Sequence, residues 1–142
     1  MRIVIGADHA GYEYKCFLKD FFIEKGYQVT DFGTYSKESV DYPDYIHPVA
    51  SFIEEGKSDL GVILCGSGNG AAITANKYKK VRAALIWNKQ IAYLAKSHNN
   101  ANIISIPAHF IEKDLLLDMI STFLEAKFEK GRHQIRINKI SK

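Results

Sequence analysis

Five short apolar runs recur at intervals of roughly 25 residues, each followed by a longer amphipathic stretch, and few folds accommodate that rhythm. Arg2–Ala7, Gln28–Phe32, Leu60–Cys65, Val81–Ile86 and Asn102–Ile106 read as strands. Most are apolar at every position instead of alternating, so both faces must be covered, as in a parallel sheet flanked by helices. Between them, Tyr14, Phe17, Leu18, Phe21 and Phe22 repeat at helical spacing, with Gly26 placed to end the helix. Tyr42, Ile46, Val49, Ala50 and Ile53 repeat the stripe, with Pro43 in the first turn, where its missing N–H costs nothing. Leu115, Met119, Ile120, Phe123 and Leu124 mark a fifth helix. The alternation predicts one α/β domain over residues 1–142: a doubly wound, Rossmann-like, five-stranded parallel sheet with helices on both faces.

Such a domain can bury a core without disulfides or metals at this length. No apolar run approaches the ~18 residues of a spanning helix, and Met1-Arg2-Ile3-Val4-Ile5-Gly6 enters a turn without the regions of an export signal. Cys16 and Cys65 stand far apart, with no CxxC or Cys/His ligand spacing, so a reducing, cytoplasmic setting is expected. The net charge of +3 gathers in the tail, where residues 128–142 hold five Lys or Arg and one acid, against 14 and 15 in residues 1–127. The tail cations are sparse and interleaved with Ile135, Ile137 and Ile140, which does not suit a nucleic-acid arm.

In parallel sheets ligands bind beyond the carboxyl ends of the strands. The segments there are Asp8-His9-Ala10-Gly11, Gly66-Ser67-Gly68-Asn69-Gly70 and Pro107-Ala108-His109. Alternating glycines let backbone N–H groups turn inward around an anion, with a helix N-terminus behind them; a tight turn without a ligand is the alternative. The loop lacks the Gly-Lys-Ser/Thr of a P-loop and the spacing of a dinucleotide fingerprint. Cys65 precedes it, where a thiol ionises more readily and can move a proton; Cys16, on an amphipathic helix, reads as packing. His9 follows Asp8, and His98 closes the fourth helix, where it could also act as a cap. Arg132 and Arg136 are four apart and share a face if the tail is helical, enough to clamp a phosphate; a solvated face is the alternative. Together these groups suit proton transfer beside a carbonyl in a phosphorylated metabolite, with no metal or cofactor expected.

Gly6-Ala7-Asp8-His9-Ala10-Gly11, Asp41-Tyr42-Pro43, Cys65-Gly66-Ser67-Gly68-Asn69-Gly70 with Ala75-Asn76-Lys77, His98-Asn99-Asn100-Ala101-Asn102 and Gly131-Arg132-His133-Gln134-Ile135-Arg136 resemble the ribose-5-phosphate isomerase B family, nearly end to end and in order. That family also contains galactose-6-phosphate and allose-6-phosphate isomerases. The resemblance implies cofactor-free interconversion of ribose 5-phosphate and ribulose 5-phosphate through an enediolate, in homodimers or dimers of dimers. It implies that Cys65 is the base moving the proton between C1 and C2, and that Gly66, Ser67, Gly68, Asn69 and Gly70 supply an anion hole. By the same resemblance His98 opens the furanose ring, Asp8 and Asn99 hold sugar oxygens, His9, Arg132 and Arg136 bind the phosphate, and Tyr42 lies along the substrate.

One branch of the family replaces the cysteine by a glutamate just after the glycine loop; Cys65 and Ala71 put this chain in the cysteine branch. Where many members have an arginine after the fifth strand, this chain has His109, a phosphate contact that would depend on pH. The fourth helix should run back toward the amino ends of the strands, far from Cys65, so a site shared across a dimer, with His98 from the neighbour, is expected. Six-carbon substrates, or a non-catalytic phosphosugar sensor on the same fold, are the competing readings. A sensor has no need of both Cys65 and His98.

Overall fold

The computed structural model describes residues 1–141; Lys142, the last of the tail cations, lies outside them. The chain runs β1 (Arg2–Ala7), α1 (Tyr12–Glu24), β2 (Gln28–Asp31), α2 (Tyr42–Glu54), β3 (Leu60–Cys65), α3 (Asn69–Ala75), β4 (Ala83–Leu85), α4 (Lys89–Ser97), β5 (Ile103–Pro107), α5 (Lys113–Glu125) and α6 (Arg132–Asn138). All strand pairs are parallel, in the order β2-β1-β3-β5-β4. Right-handed crossovers make the direction of each step select a face. The steps toward β2 and from β4 back to β5 send α1 and α4 to one face. The steps from β2 to β3 and from β3 out to β4 send α2 and α3 to the other.

The strands serve both layers, because successive side chains point to opposite faces. Ile3, Ile5, Val62, Leu64, Ile104 and Ile106 pack with α1, α4 and α5, while Val4, Ile63, Cys65 and Ile103 pack with α2 and α3. Every residue of β3 and β5 is buried. Fully burying each large aliphatic side chain stabilises the fold by about 1.5–3 kcal/mol.

Three strands have limits that differ from those expected. β2 closes at Asp31; Phe32 N–H still donates to Ile5 O (3.0 Å) before Gly33 (φ 91°) turns the chain. β4 is three residues long because Val81 N–H closes a turn on Tyr78 O (3.1 Å) and Arg82 N–H goes to Asn102 Oδ1 (2.8 Å). β5 starts at Ile103, since the Asn102 amide also donates to Lys80 O (2.8 Å) and belongs to the connection; it ends at Pro107, in register with Cys65.

One charge in the core escaped the helical stripe. Lys15, only 1% exposed, donates to both Asp31 oxygens at 2.8 and 2.7 Å, and Lys19 and Gly33 N–H add bonds of 3.3 and 2.8 Å. Burial alone would push the Asp31 carboxyl up, but Lys15, the Gly33 N–H and Lys19 outweigh it and hold it below the usual carboxylate range. Its contribution is therefore complete above that range and is lost as pH falls through the lowered folded value. Urea unfolding at neutral pH should find Asp31→Asn less stable by about 1.5–3 kcal/mol. The difference from wild type should shrink in acid; a constant difference would contradict the pairing.

Candidate active site

β1 and β3 are neighbours whose chains leave in opposite directions along the sheet, and that divergence opens a crevice at their carboxyl ends. Ala7 is in register with Leu64, and Cys65 with Pro107, so the loops after β1, β3 and β5 emerge side by side. Asp8 N–H donates to Leu64 O (3.2 Å), which sets Asp8 beside Cys65 on the neighbouring strand. Asp8 is buried; its Oδ1 accepts from Ala10 N–H (2.9 Å) and Gly11 N–H (3.2 Å). Among the described residues its Oδ2 takes no hydrogen bond, which leaves an acceptor for a ligand. His9 Nδ1 accepts from Val40 N–H (3.1 Å), so the ring's proton sits on Nε2, a donor.

Cys65, a free thiol only 5% exposed, ends β3 on the α2 and α3 side of the sheet. Gly68 reaches φ 74°, left-handed backbone that suits glycine, and its carbonyl accepts from buried Ser105 Oγ (2.7 Å). The loop is shorter than its sequence suggests, for Asn69 and Gly70 already form the first turn of α3. A Cβ on Gly70 would lie 2.4 Å from Tyr42 Cζ, so the missing side chain is what lets the Tyr42 ring cover the loop. Ser67 and Asn69 are exposed, with Ser67 Oγ accepting from Asn69 N–H (3.2 Å). His109 N–H donates to Gly66 O (3.0 Å), and its side chain joins His9, Lys37 and Glu13 around a cleft of about 390 Å³.

His98, Asn99, Arg132 and Arg136 lie toward the opposite ends of the strands. α4 runs antiparallel to the strands and delivers His98, its C-cap, to their amino ends. The Arg82 guanidinium, which sequence reasoning missed, fixes the following turn by donating to Asn99 O (3.1 Å) and Asn100 O (2.8 Å). Asn100 takes a positive φ of 43°, the conformation asparagine tolerates just beyond a helix. The tail is helical, so Arg132 and Arg136 do share a face; both are exposed and in no ion pair among the described residues. A cavity of about 570 Å³ borders Asn99, Arg82 and Lys79 there. Cys65 is in register with Pro107 at the carboxyl end of β5, whereas His98 precedes the strand's amino end at Ile103, four steps of about 3.3 Å away along the strand. The polar groups form two separate clusters, Cys65 in one and His98 in the other.

His133, to which the sequence assigns no role, and Glu129 also belong to this cluster. His133 is buried, its ring stacked on that of His98 with centroids 4.0 Å apart and planes at 19°. Its position, four residues after Glu129, is the one trace of this in the sequence.

A family model described as Ribose/Galactose Isomerase matches residues 3–140. Ribose-5-phosphate isomerase B of Escherichia coli is 34% identical over 140 residues, 99% of this chain and 94% of that protein. The structure of ribose-5-phosphate isomerase B from Clostridium thermocellum superposes with a TM-score of 0.97 at 44% identity, covering 99% of this chain and 95% of that one. The Mycoplasma genitalium enzyme, solved with bound ribulose-5-phosphate, superposes with a TM-score of 0.94 at 38% identity, covering 98% and 93%.

Proposed function

The chain belongs to the ribose/galactose isomerase family, and we propose that it interconverts D-ribose 5-phosphate and D-ribulose 5-phosphate through an enediolate, at sites shared between two copies. The observation that carries this reading is the buried Cys65 thiol beside the glycine loop, in a chain superposing almost end to end on a ribulose-5-phosphate complex.

In the proposed reaction the partner's copy of the His98 imidazole donates to the ring oxygen as the C1 hydroxyl gives up its proton, which frees the aldehyde. The Cys65 thiolate then removes the C2 proton as electron density moves onto O1; the O2 hydroxyl proton passes to O1, and the thiol returns its proton to C1 as the C2=O bond forms, which leaves the ketose. The N–H groups from Gly66 to Gly70 would stabilise the charge on oxygen. Asp8, through its unbonded Oδ2, and Asn99 would hold sugar hydroxyls, and Tyr42 would lie along the chain. His9 Nε2–H, Arg132 and Arg136 would bind the phosphate, with His109 standing where many members of the family have an arginine.

Sharing is supported by the division into two clusters and by exposed Ile73, Ile135 and Ile140 on α3 and the tail, apolar surface that a second copy would cover. The assembly is proposed as a dimer or dimer of dimers, with the tail of residues 128–142 contributing to phosphate binding. Nucleic acid and membranes are not proposed partners: the positive charge is confined to the tail, and among the described residues no helix is long and apolar enough to cross a membrane. A cytoplasmic setting is proposed, where the thiols of Cys16 and Cys65 stay reduced.

The substrate is tested by kcat/KM on ribose 5-phosphate, allose 6-phosphate and galactose 6-phosphate. The five-carbon sugar should lead; a higher value for either six-carbon sugar would reassign the substrate while keeping the chemistry.

A further inference from the structure

Glu129 brings one carboxylate oxygen between two imidazoles. Its Oε1 lies 3.4 Å from His133 Nε2 and 3.9 Å from His98 Nε2, and the three atoms fall within 4.8 Å of one another. His133 Nε2 is buried without a hydrogen-bond partner, although the side chain is only 6% exposed. An orphaned ring nitrogen aimed at a carboxylate is a costly arrangement unless something else occupies the space.

We propose that His98, Glu129 and His133 bind one divalent ion of the zinc class, and that the ion shuts down turnover by taking the His98 nitrogen. The second half of this statement rests on the ring-opening role assigned to His98; the binding site does not. Two histidines and a glutamate are an established ligand set for zinc, with water completing the tetrahedron. Ligand atoms 2.0–2.2 Å from a tetrahedral ion lie about 3.3–3.5 Å apart. The Glu129–His133 pair already has that spacing, and the His98 ring has to turn and close on both, by about half an ångström toward the Glu129 oxygen.

The parts differ usefully in mobility. His133 is held by the core, and the Glu129 backbone is pinned by its N–H to Ser97 O (3.0 Å), while the His98 and Glu129 side chains are 36% and 44% exposed. Both histidine lone pairs can meet one ion only if the exposed His98 ring turns out of its 19° stack. Arg132 and Arg136 oppose a cation, so the site should bind more weakly than a closed four-ligand structural zinc.

Calorimetric titration of the intact protein with Zn2+ tests this, with Co2+ absorption as a second reading of coordination. One ion per chain is expected in wild type and in Cys65→Ser. Glu129→Gln, an exposed change that keeps the fold, and His133→Ala should each weaken binding at least about tenfold, since loss of even an outer-shell partner costs 10- to 100-fold. Absence of binding, equal binding by both variants, or loss of binding in Cys65→Ser would overturn the site. Zn2+ should inhibit wild type, and Glu129→Gln should relieve it. Binding without inhibition would confirm the site and count against the role given to His98.

Discussion

Cys65→Ala is expected to lower kcat for isomerisation by about 10²- to 10⁴-fold, the range that positioned acid–base groups supply. The thiol is the one titratable side chain placed at the head of the glycine loop, on a strand that is buried along its whole length. Removing one sulfur atom from the end of so rigid a strand leaves the loop amides, Asp8 and His9 where they are. Phosphosugar affinity should therefore change by less than about threefold, because no group assigned to binding is lost. Alkylation of the thiol should inactivate the wild-type protein, and bound substrate should slow it. A variant that keeps wild-type turnover would show that Cys65 is not the base.

Mixed Cys65→Ala and His98→Ala proteins should regain activity that neither has alone. Within one chain the two residues belong to opposite ends of the strands, so the proposed site needs one from each copy. In a hybrid dimer one site then carries both substitutions and the other carries neither. Random exchange makes half the dimers hybrids, which predicts recovery to about a quarter of wild-type activity under two-fold symmetry. No recovery, with subunit exchange proven by mass spectrometry, would place both groups in one chain's site and contradict the division described above.

The sequence disclosed much of this because its strongest signals are local. β1 and β3 have the limits expected of them, bounded as they are by Asp8 and Gly66 turns. The carboxyl-end rule then led directly to Asp8, His9, Cys65 and the glycine loop. The ends of β4 were not legible, since they depend on the Asn102 side chain, which stands about 20 residues away in the chain and reaches Arg82 through space. Nor does any local pattern tell that β5 inserts between β3 and β4. Lys15 reads as a solvent-facing residue of a helix, and only the approach of Asp31 from the edge strand makes its burial tolerable. His133 and Arg82 have the same explanation: each is defined by a partner brought near by folding, at His98 and at Asn99.

An enzyme that catalyses one proton-transfer equilibrium must reach it from both sides. Purified protein should convert ribose 5-phosphate and, separately, ribulose 5-phosphate to the same final ratio without added metal or cofactor, while Cys65→Ala at equal concentration leaves both nearly unchanged. Failure of the wild-type protein to interconvert the two sugars, or equal conversion by Cys65→Ala, would contradict catalysis through Cys65.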